Sequence, residues 1–170
     1  MIIASSGHVN PIMNLIIDNL TNHPEFIPKL VYWFHAEWGH FHPQTTIEQR
    51  ISSLKERCVQ TSGLPLTLIA RMGDHVIGTA SLIKHDMEVH LELTPWLSSV
   101  YVDTEHRRQG IGSQLVKRIV QEAANINAKI LYLFTPDREN FYARMGWQLL
   151  YREKYRGQQV VLMEIRTAAK

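Results

Sequence analysis

The residues best suited to chemistry lie in the stretch Arg107–Ser113, RRQGIGS, where an apolar strand pattern gives way to a helical one. A helix N-terminus carries unpaired N–H groups and a partial positive charge, so it binds phosphate groups readily. Gly110 and Gly112 remove side chains that would obstruct a diphosphate, and Arg107 and Arg108 add positive charge. The stretch therefore predicts a diphosphate site whose donors are backbone amides from about residue 108 to residue 113.

Two common phosphate-binding motifs do not fit this stretch. The phosphate loop of the nucleotide hydrolases requires GxxxxGK[ST], which the chain lacks. The dinucleotide fingerprint requires GxGxxG, and the segment GIGSQL, which begins at Gly110, has only the first two of its glycines.

The elements around this turn predict an α/β fold. A strand, two helices, three strands, a helix, a strand, a short helix and two strands follow one another along the chain. The polar and irregular segment 86–94 is predicted to be a surface loop. Helices are expected at about 23–38, 45–58, 110–127 and 138–146, and strands at about 14–20, 66–72, 75–85, 95–103 and 129–135, with two more within 147–165.

Composition limits the classes of protein that the chain can represent. Its 170 residues, 45% hydrophobic and 20% charged, suit one domain, with residues 1–12 expected to form a flexible extension. The net charge of +2 is too small to indicate a nucleic-acid surface. No apolar run reaches the length that a membrane span needs. The one cysteine, Cys58, favours a reducing, cytoplasmic location, and the spacing of the nine histidines predicts no metal site.

Two motifs resemble those of a known family. RRQGIG matches the [RQ]-x-x-G-x-[GA] pattern at every fixed position, and its context, SSVYVDTEHRRQGIGSQLVKRIV, resembles the whole motif A of the bacterial-type GNAT superfamily of N-acetyltransferases. NFYARMGWQLL, which begins at Asn140, resembles the end of motif B of that family. The resemblance covers about residues 76–165. It implies a mixed, mostly antiparallel sheet of about six to seven strands, flanked by about four helices.

The resemblance also implies a chemistry, which is transfer of an acetyl group from acetyl-coenzyme A to an amine. Tyr142 would protonate the departing thiolate, although it equally fits a core position. Many members carry an asparagine seven residues before this tyrosine; here that position is Thr135, and Asn140 is the expected substitute. The implied cofactor-binding residues are Val100, Tyr101, Val102, Arg107, Arg108, Gln109, Gly110, Ile111, Gly112, Ser113 and Asn140.

The acceptor side is less determined by the sequence. In the resembled family the end of the first helix and the loop before the motif A strand line it. We therefore expect a small-molecule amine as the acceptor, with a protein or peptide amine as the alternative acceptor. A non-catalytic acyl-coenzyme A sensor and an unrelated nucleotide-binding module are alternative functions of the domain. A homodimer is compatible with the family. The predicted substrate-binding residues are Glu37, Trp38, His85 and Glu92, of which Trp38 also fits the core. A general base is needed because the amine must lose a proton. The candidates are Glu37, His85, Asp86, Glu88 and Glu92, and an ordered water relay is an equal alternative.

Overall fold

The computed structural model describes residues 14–59 and 63–168. Within these ranges seven strands form one sheet and four helices pack on it. The expected extension, residues 1–12, lies outside them. The strands are β1 (Leu15–Asn19), β2 (Leu66–Met72), β3 (His75–Ile83), β4 (Trp96–Val102), β5 (Ile130–Thr135), β6 (Gln148–Tyr155) and β7 (Gln158–Arg166). The helices are α1 (Ile27–Trp38), α2 (Ile47–Arg57), α3 (Ile111–Asn125) and α4 (Glu139–Ala143).

The strands lie in the order β1-β2-β3-β4-β5-β7-β6. All neighbouring pairs are antiparallel except β4 and β5, which are parallel. The predicted fold, a mixed and mostly antiparallel sheet with four helices, is therefore confirmed.

Helices cover both faces of the sheet because the side chains of a strand alternate between its faces. Leu68 and Ala70 belong to the core cluster that contains α3, whereas Ile69, which lies between them, packs with α1 and α2. The apolar stripe predicted for α3 is fully buried and consists of Ile111, Leu115, Ile119 and Ala123.

Local signals also set the start of α2. The side chain of Thr46 accepts a hydrogen bond from the backbone of Gln49, and the Gln49 side chain in turn accepts one from the Thr46 backbone. This reciprocal arrangement is a capping box, which satisfies two otherwise free N–H groups.

The segment 86–94 contains no strand, as expected, but it is not simply a surface loop. Met87 is only 3% exposed and packs with Trp96 and with Leu162 of β7. Leu93 joins the same cluster. Because most residues of the segment are polar, the sequence did not indicate that Met87 and Leu93 hold the loop against the sheet beside β4.

Candidate active site

The central feature is a gap between β4 and β5. Among the described residues, the ladder between these strands contains one pair, Trp96 with Tyr132, and the Tyr132 amide donates to the Pro95 carbonyl over 3.1 Å. Beyond it β4 carries a bulge, since Ser99 has a φ of 53° and the register with β3 shifts there. A bulge bends its strand. The strands therefore separate towards their carboxyl ends and leave backbone groups of β4 free to bind a ligand.

The predicted diphosphate turn lies at the carboxyl end of β4. Gly110 is the N-cap of α3 and supplies no side-chain hydrogen bond to the first turn. Its φ of 78° lies in the left-handed region, and so does that of Arg108 at 62°. The positive φ favours glycine at residue 110, since a Cβ would strain this conformation although open space surrounds the position where it would lie. The amides at the start of α3 are consequently uncapped, which fits an anionic ligand.

Gly112 has a different role from Gly110. A Cβ at this position would lie 3.6 Å from Cζ of Phe141 and 3.6 Å from Cγ2 of Val102, both ordinary contact distances. The protein itself would thus tolerate a side chain there. The glycine leaves a shallow space between α3, β4 and α4, which a ligand can use.

Arg107 is engaged within the turn. Its Nε donates to the Val102 carbonyl over 2.9 Å, and its guanidinium lies 5.3 Å from the centre of the Tyr101 ring. Arg108 and Gln109 are exposed, and the Gln109 amide donates to the Glu105 carbonyl over 3.3 Å. Arg107 therefore braces the turn against β4, while Arg108 keeps its charge at the surface.

Tyr142 lies on α4, on the α3 side of the sheet. It is 8% exposed and its ring contacts those of Phe141 and Trp147 edge to face, with centroid distances of 5.0 Å and 5.9 Å. Burial raises the pKa of its phenol well above the usual value, with smaller contributions from nearby charges that include Asp86. The phenol is thus protonated at neutral pH and can donate a hydrogen bond.

The turn before α4 explains Thr135. Its buried hydroxyl accepts a hydrogen bond from the Arg138 backbone over 3.0 Å, so it holds the Thr-Pro-Asp turn in shape. Asn140 is exposed and lines a cavity of about 430 Å³ between α4 and the β6–β7 pair, together with Glu139 and Arg152. Its contact with a cofactor stays a prediction.

The other face of the gap is bordered by α1. Trp33 packs against Tyr101 of β4 with a centroid distance of 4.9 Å, and Trp38 meets the same ring edge to face at 6.4 Å. Trp38 is half-buried, and Glu37 beside it is exposed. The aromatic cluster fixes the end of α1 over β4.

Of the acidic candidates, Asp86 is the one held beside the gap. Its Oδ1 accepts a hydrogen bond of 2.8 Å from the Ser98 hydroxyl of β4. Desolvation raises the pKa of Asp86 to about 6, partly opposed by the Ser98 hydrogen bond and by the charges of Arg57 and Arg156.

Arg156, in the turn between β6 and β7, bridges three segments. It donates to the Phe41 carbonyl over 3.2 Å, contacts Nε2 of His42 at 2.7 Å and pairs with Glu88 at 2.7 Å. Burial, together with the charges of Arg156 and Arg50, lowers the pKa of His42. The hairpin turn is thereby tied to the segment after α1 and to the loop that carries Asp86.

The remaining predicted residues, His85 and Glu92, lie on the segment between β3 and β4. His85 is exposed, and Glu92 lies 3.4 Å from His90, which also contacts Glu153 at 3.0 Å. Desolvation raises the pKa of Tyr132, which lies at the closed end of the gap, and the charges of Glu164, Tyr151 and Glu92 add to this effect. The structure therefore groups Asp86 with Ser98, and Glu92 with His90.

Sequence reasoning missed Ser98, Arg57 and Arg156 as neighbours of Asp86. No local pattern could have found Arg156, which stands in an ordinary Arg-Gly turn signal. Ser98 and Ser99 interrupt an otherwise apolar strand, and that interruption was a usable sign of the bulge.

Comparison with known families identifies the protein as an acyltransferase of α/β architecture. The family described as an acetyltransferase (GNAT) domain matches residues 65–149, half of the chain. The chain belongs to this family. That membership confirms the prediction of an acetyltransferase with acetyl-coenzyme A as its donor.

Solved structures share the fold at low sequence identity. An aminoglycoside 6'-acetyltransferase type Ii is 18% identical with a TM-score of 0.71, over 91% of this chain and 99% of that one. An aminoglycoside 6'-N-acetyltransferase complexed with coenzyme A is 15% identical with a TM-score of 0.69, over 91% and 98%. A putative acetyltransferase from Salmonella typhimurium with its cofactor acetyl-CoA is 16% identical with a TM-score of 0.67, over 89% and 93%.

Two kinds of feature are absent from the described residues. No helix among residues 14–59 and 63–168 is long and apolar enough to cross a membrane. In the same ranges no group of three histidine, cysteine, aspartate or glutamate side chains could hold a metal ion.

Proposed function

We propose that the protein transfers an acetyl group from acetyl-coenzyme A to a primary amine of a small molecule, by direct attack while both substrates are bound. The observation that carries this proposal is the separation of β4 from β5 directly beyond Trp96 and Tyr132. The uncapped start of α3 borders β4 at one side of this gap, and Tyr142 lies on α4 after β5. No covalent intermediate on the protein is needed, and burial raises the pKa of the Cys58 thiol, which makes it a poor nucleophile.

The donor would bind along β4. Backbone groups of Val100 and Val102 are proposed to bind the pantetheine arm, and amides from Arg108 to Ser113 the diphosphate. The Val102 carbonyl accepts from Arg107 and retains a second lone pair. The positive end of the α3 dipole and the exposed charge of Arg108 favour the same ligand. Tyr101, Arg107 and Asn140 complete the proposed set.

Tyr142 is the proposed acid for the leaving thiolate. A free thiol has a pKa of about 8.5, well below that of the buried phenol. Desolvation also raises the pKa of a thiol in the gap. The difference between the pKa of the thiol and that of the phenol therefore becomes smaller when the site is closed to water. The phenol would then regain its proton from solvent.

The acceptor would lie on the α1 side of the gap, near Glu37, Trp38, His85 and Glu92. The bridge that Arg156 makes to Phe41, His42 and Glu88 encloses this side, which favours a small molecule over a segment of folded protein. A peptide amine is the alternative. We further propose a cytoplasmic location and a homodimer, to be checked by cell fractionation and by light scattering of the purified protein.

Titration calorimetry with acetyl-coenzyme A tests the donor site. Gly110→Glu should abolish binding, because it adds negative charge and a side chain at the proposed diphosphate site. Gly63→Glu is the matched control, since Gly63 has a φ of +84° and open space around it, like Gly110 at +78°. Equal loss in both variants would attribute the effect to backbone strain and remove the diphosphate from this turn.

Replacing Tyr142 by phenylalanine tests whether the domain is an enzyme or a sensor. As an acid, Tyr142 should support turnover, so Tyr142→Phe should lower kcat by about 10²-fold while acetyl-coenzyme A still binds. A wild-type protein that binds the cofactor but releases no thiol with any amine would instead support the non-catalytic alternative.

A further inference from the structure

A carboxyl group stands where the two central strands separate. Trp96 is the residue of β4 that pairs with β5, and Ser98 lies two residues further along β4. The Ser98 hydroxyl donates a hydrogen bond of 2.8 Å to Asp86. Asp86 itself follows β3, and the next residue, Met87, is buried in the core. The hydrogen bond from Ser98 and the burial of the adjacent Met87 thus hold the carboxylate between the loop and the bulged strand.

Two arginines and the Tyr142 phenol interact electrostatically with Asp86, each from a different element. Arg57 comes from the end of α2 and Arg156 from the β6–β7 turn, and both lower the pKa of Asp86. Tyr142 comes from α4, and the charge of Asp86 contributes to its raised pKa. Desolvation outweighs the two arginines and brings the pKa of Asp86 to about 6. At pH 7 the group is therefore mostly ionised, yet a stronger base than an ordinary aspartate.

The other candidate bases lack this setting. Glu88 is 77% exposed at its side chain and paired with Arg156, and Glu92 is 69% exposed and close to His90. Glu37 and His85 are exposed and sit on the surface of their elements. Among the five candidates, Asp86 is the one that is half-buried and that accepts a hydrogen bond from β4.

We propose that the Asp86 carboxylate, positioned by the Ser98 hydroxyl, is the group that takes the proton from the acceptor amine. This assignment rests on the proposed function. An ammonium acceptor loses two protons in the reaction. One passes through Asp86 to solvent and frees the nitrogen lone pair; the other leaves when the new C–N bond has formed. The C–S bond breaks, the electron pair stays on sulfur, and the sulfur gains a proton from Tyr142. The net result is an amide, a thiol and one proton released.

The test uses the full-length protein with acetyl-coenzyme A and three amines, spermidine, lysine and kanamycin, measured by thiol release from pH 5 to 10. Asp86→Asn keeps the size of the side chain and can still accept from Ser98, but it cannot take a proton. We expect kcat/KM at pH 7 to fall by about 10²-fold or more, with the Kd for acetyl-coenzyme A unchanged. The break in the wild-type profile near pH 6 should disappear, leaving only the rise due to the amine.

Ser98→Ala separates positioning from structure. Loss of the hydroxyl removes a hydrogen bond that lowers the pKa of Asp86, so the break should move to higher pH. Asp74→Asn, in the exposed turn between β2 and β3, is the control and should leave the profile unchanged.

The outcomes distinguish the two proposals. An active wild-type protein whose Asp86→Asn variant keeps both its rate and its break near pH 6 overturns the assignment and leaves the proposed function standing. A wild-type protein that acetylates none of the three amines removes the proposed function, and the assignment falls with it. Loss of the break in Asp86→Asn together with its shift in Ser98→Ala supports both.

Discussion

Gly112→Ala offers the sharpest test of the diphosphate site, because stability and binding should change in opposite directions. Gly112 is the second residue of α3, and a Cβ there would meet only Phe141 and Val102, each at 3.6 Å. Alanine is favoured over glycine in a helix by about 0.5–1 kcal/mol. No clash offsets this gain. The free energy of unfolding should therefore rise by up to about 1 kcal/mol, and Tm by about 1–4 °C.

Binding should weaken in the same variant. The added methyl group fills the space through which a diphosphate would approach the first amides of α3. Loss of one hydrogen bond to a charged group corresponds to about 1.5–3 kcal/mol, or a Kd for acetyl-coenzyme A raised by about 10- to 150-fold. Thermal unfolding and titration calorimetry on one preparation measure both quantities.

Gly110→Ala is the comparison variant. Its φ of +78° places an alanine in the left-handed region, so this variant should lose about 1–2 kcal/mol of stability although nothing lies within 4 Å of the new atom. A Gly112→Ala protein that is more stable and binds acetyl-coenzyme A as tightly as the wild type would refute the reasoning, because the ligand would then not approach the backbone at this turn.

Three further predictions concern packing, capping and pH. Gly78→Ala should destabilise the protein by about 1–3 kcal/mol in chemical denaturation, since its Cβ would lie 3.0 Å from the Tyr101 carbonyl and 3.1 Å from Leu115; unchanged stability would mean that α3 moves freely over β3. Thr46→Ala should cost about 0.5–2 kcal/mol by the same measurement through loss of the capping box, and no change would show that the cap is dispensable. The hydrogen bond to Glu153 raises the pKa of His90, so this pair stabilises the fold below the unfolded histidine pKa of about 6.5 and loses its effect as pH rises through the folded value. Glu153→Gln should thus be less stable than the wild type at pH 5.5 and differ less at pH 8.5; the opposite trend would contradict the shift.

Local sequence patterns specified the helices and strands and the turn before α3. The spacing of Ile111, Leu115 and Ile119 specified both α3 and its buried face. The glycines at residues 110 and 112 indicated a turn before a helix, and the structure starts α3 there. These features depend on interactions within a few residues, so a single sequence records them. The family resemblance then supplied the sheet that the local patterns alone left open.

Contacts between side chains that are distant in the sequence depend on the tertiary structure. Asp86 was one of five equal candidates in the sequence, and the fold half-buries it and places it in hydrogen-bond contact with Ser98. Arg156 and Phe41 are 115 residues apart, and no local pattern links them. Burial that raises a pKa and contacts that bridge distant segments both arise from the packing of the whole chain. The sequence therefore supplies the side chains available to this acetyltransferase, whereas the packing of the whole chain determines which of them lie together at the proposed site.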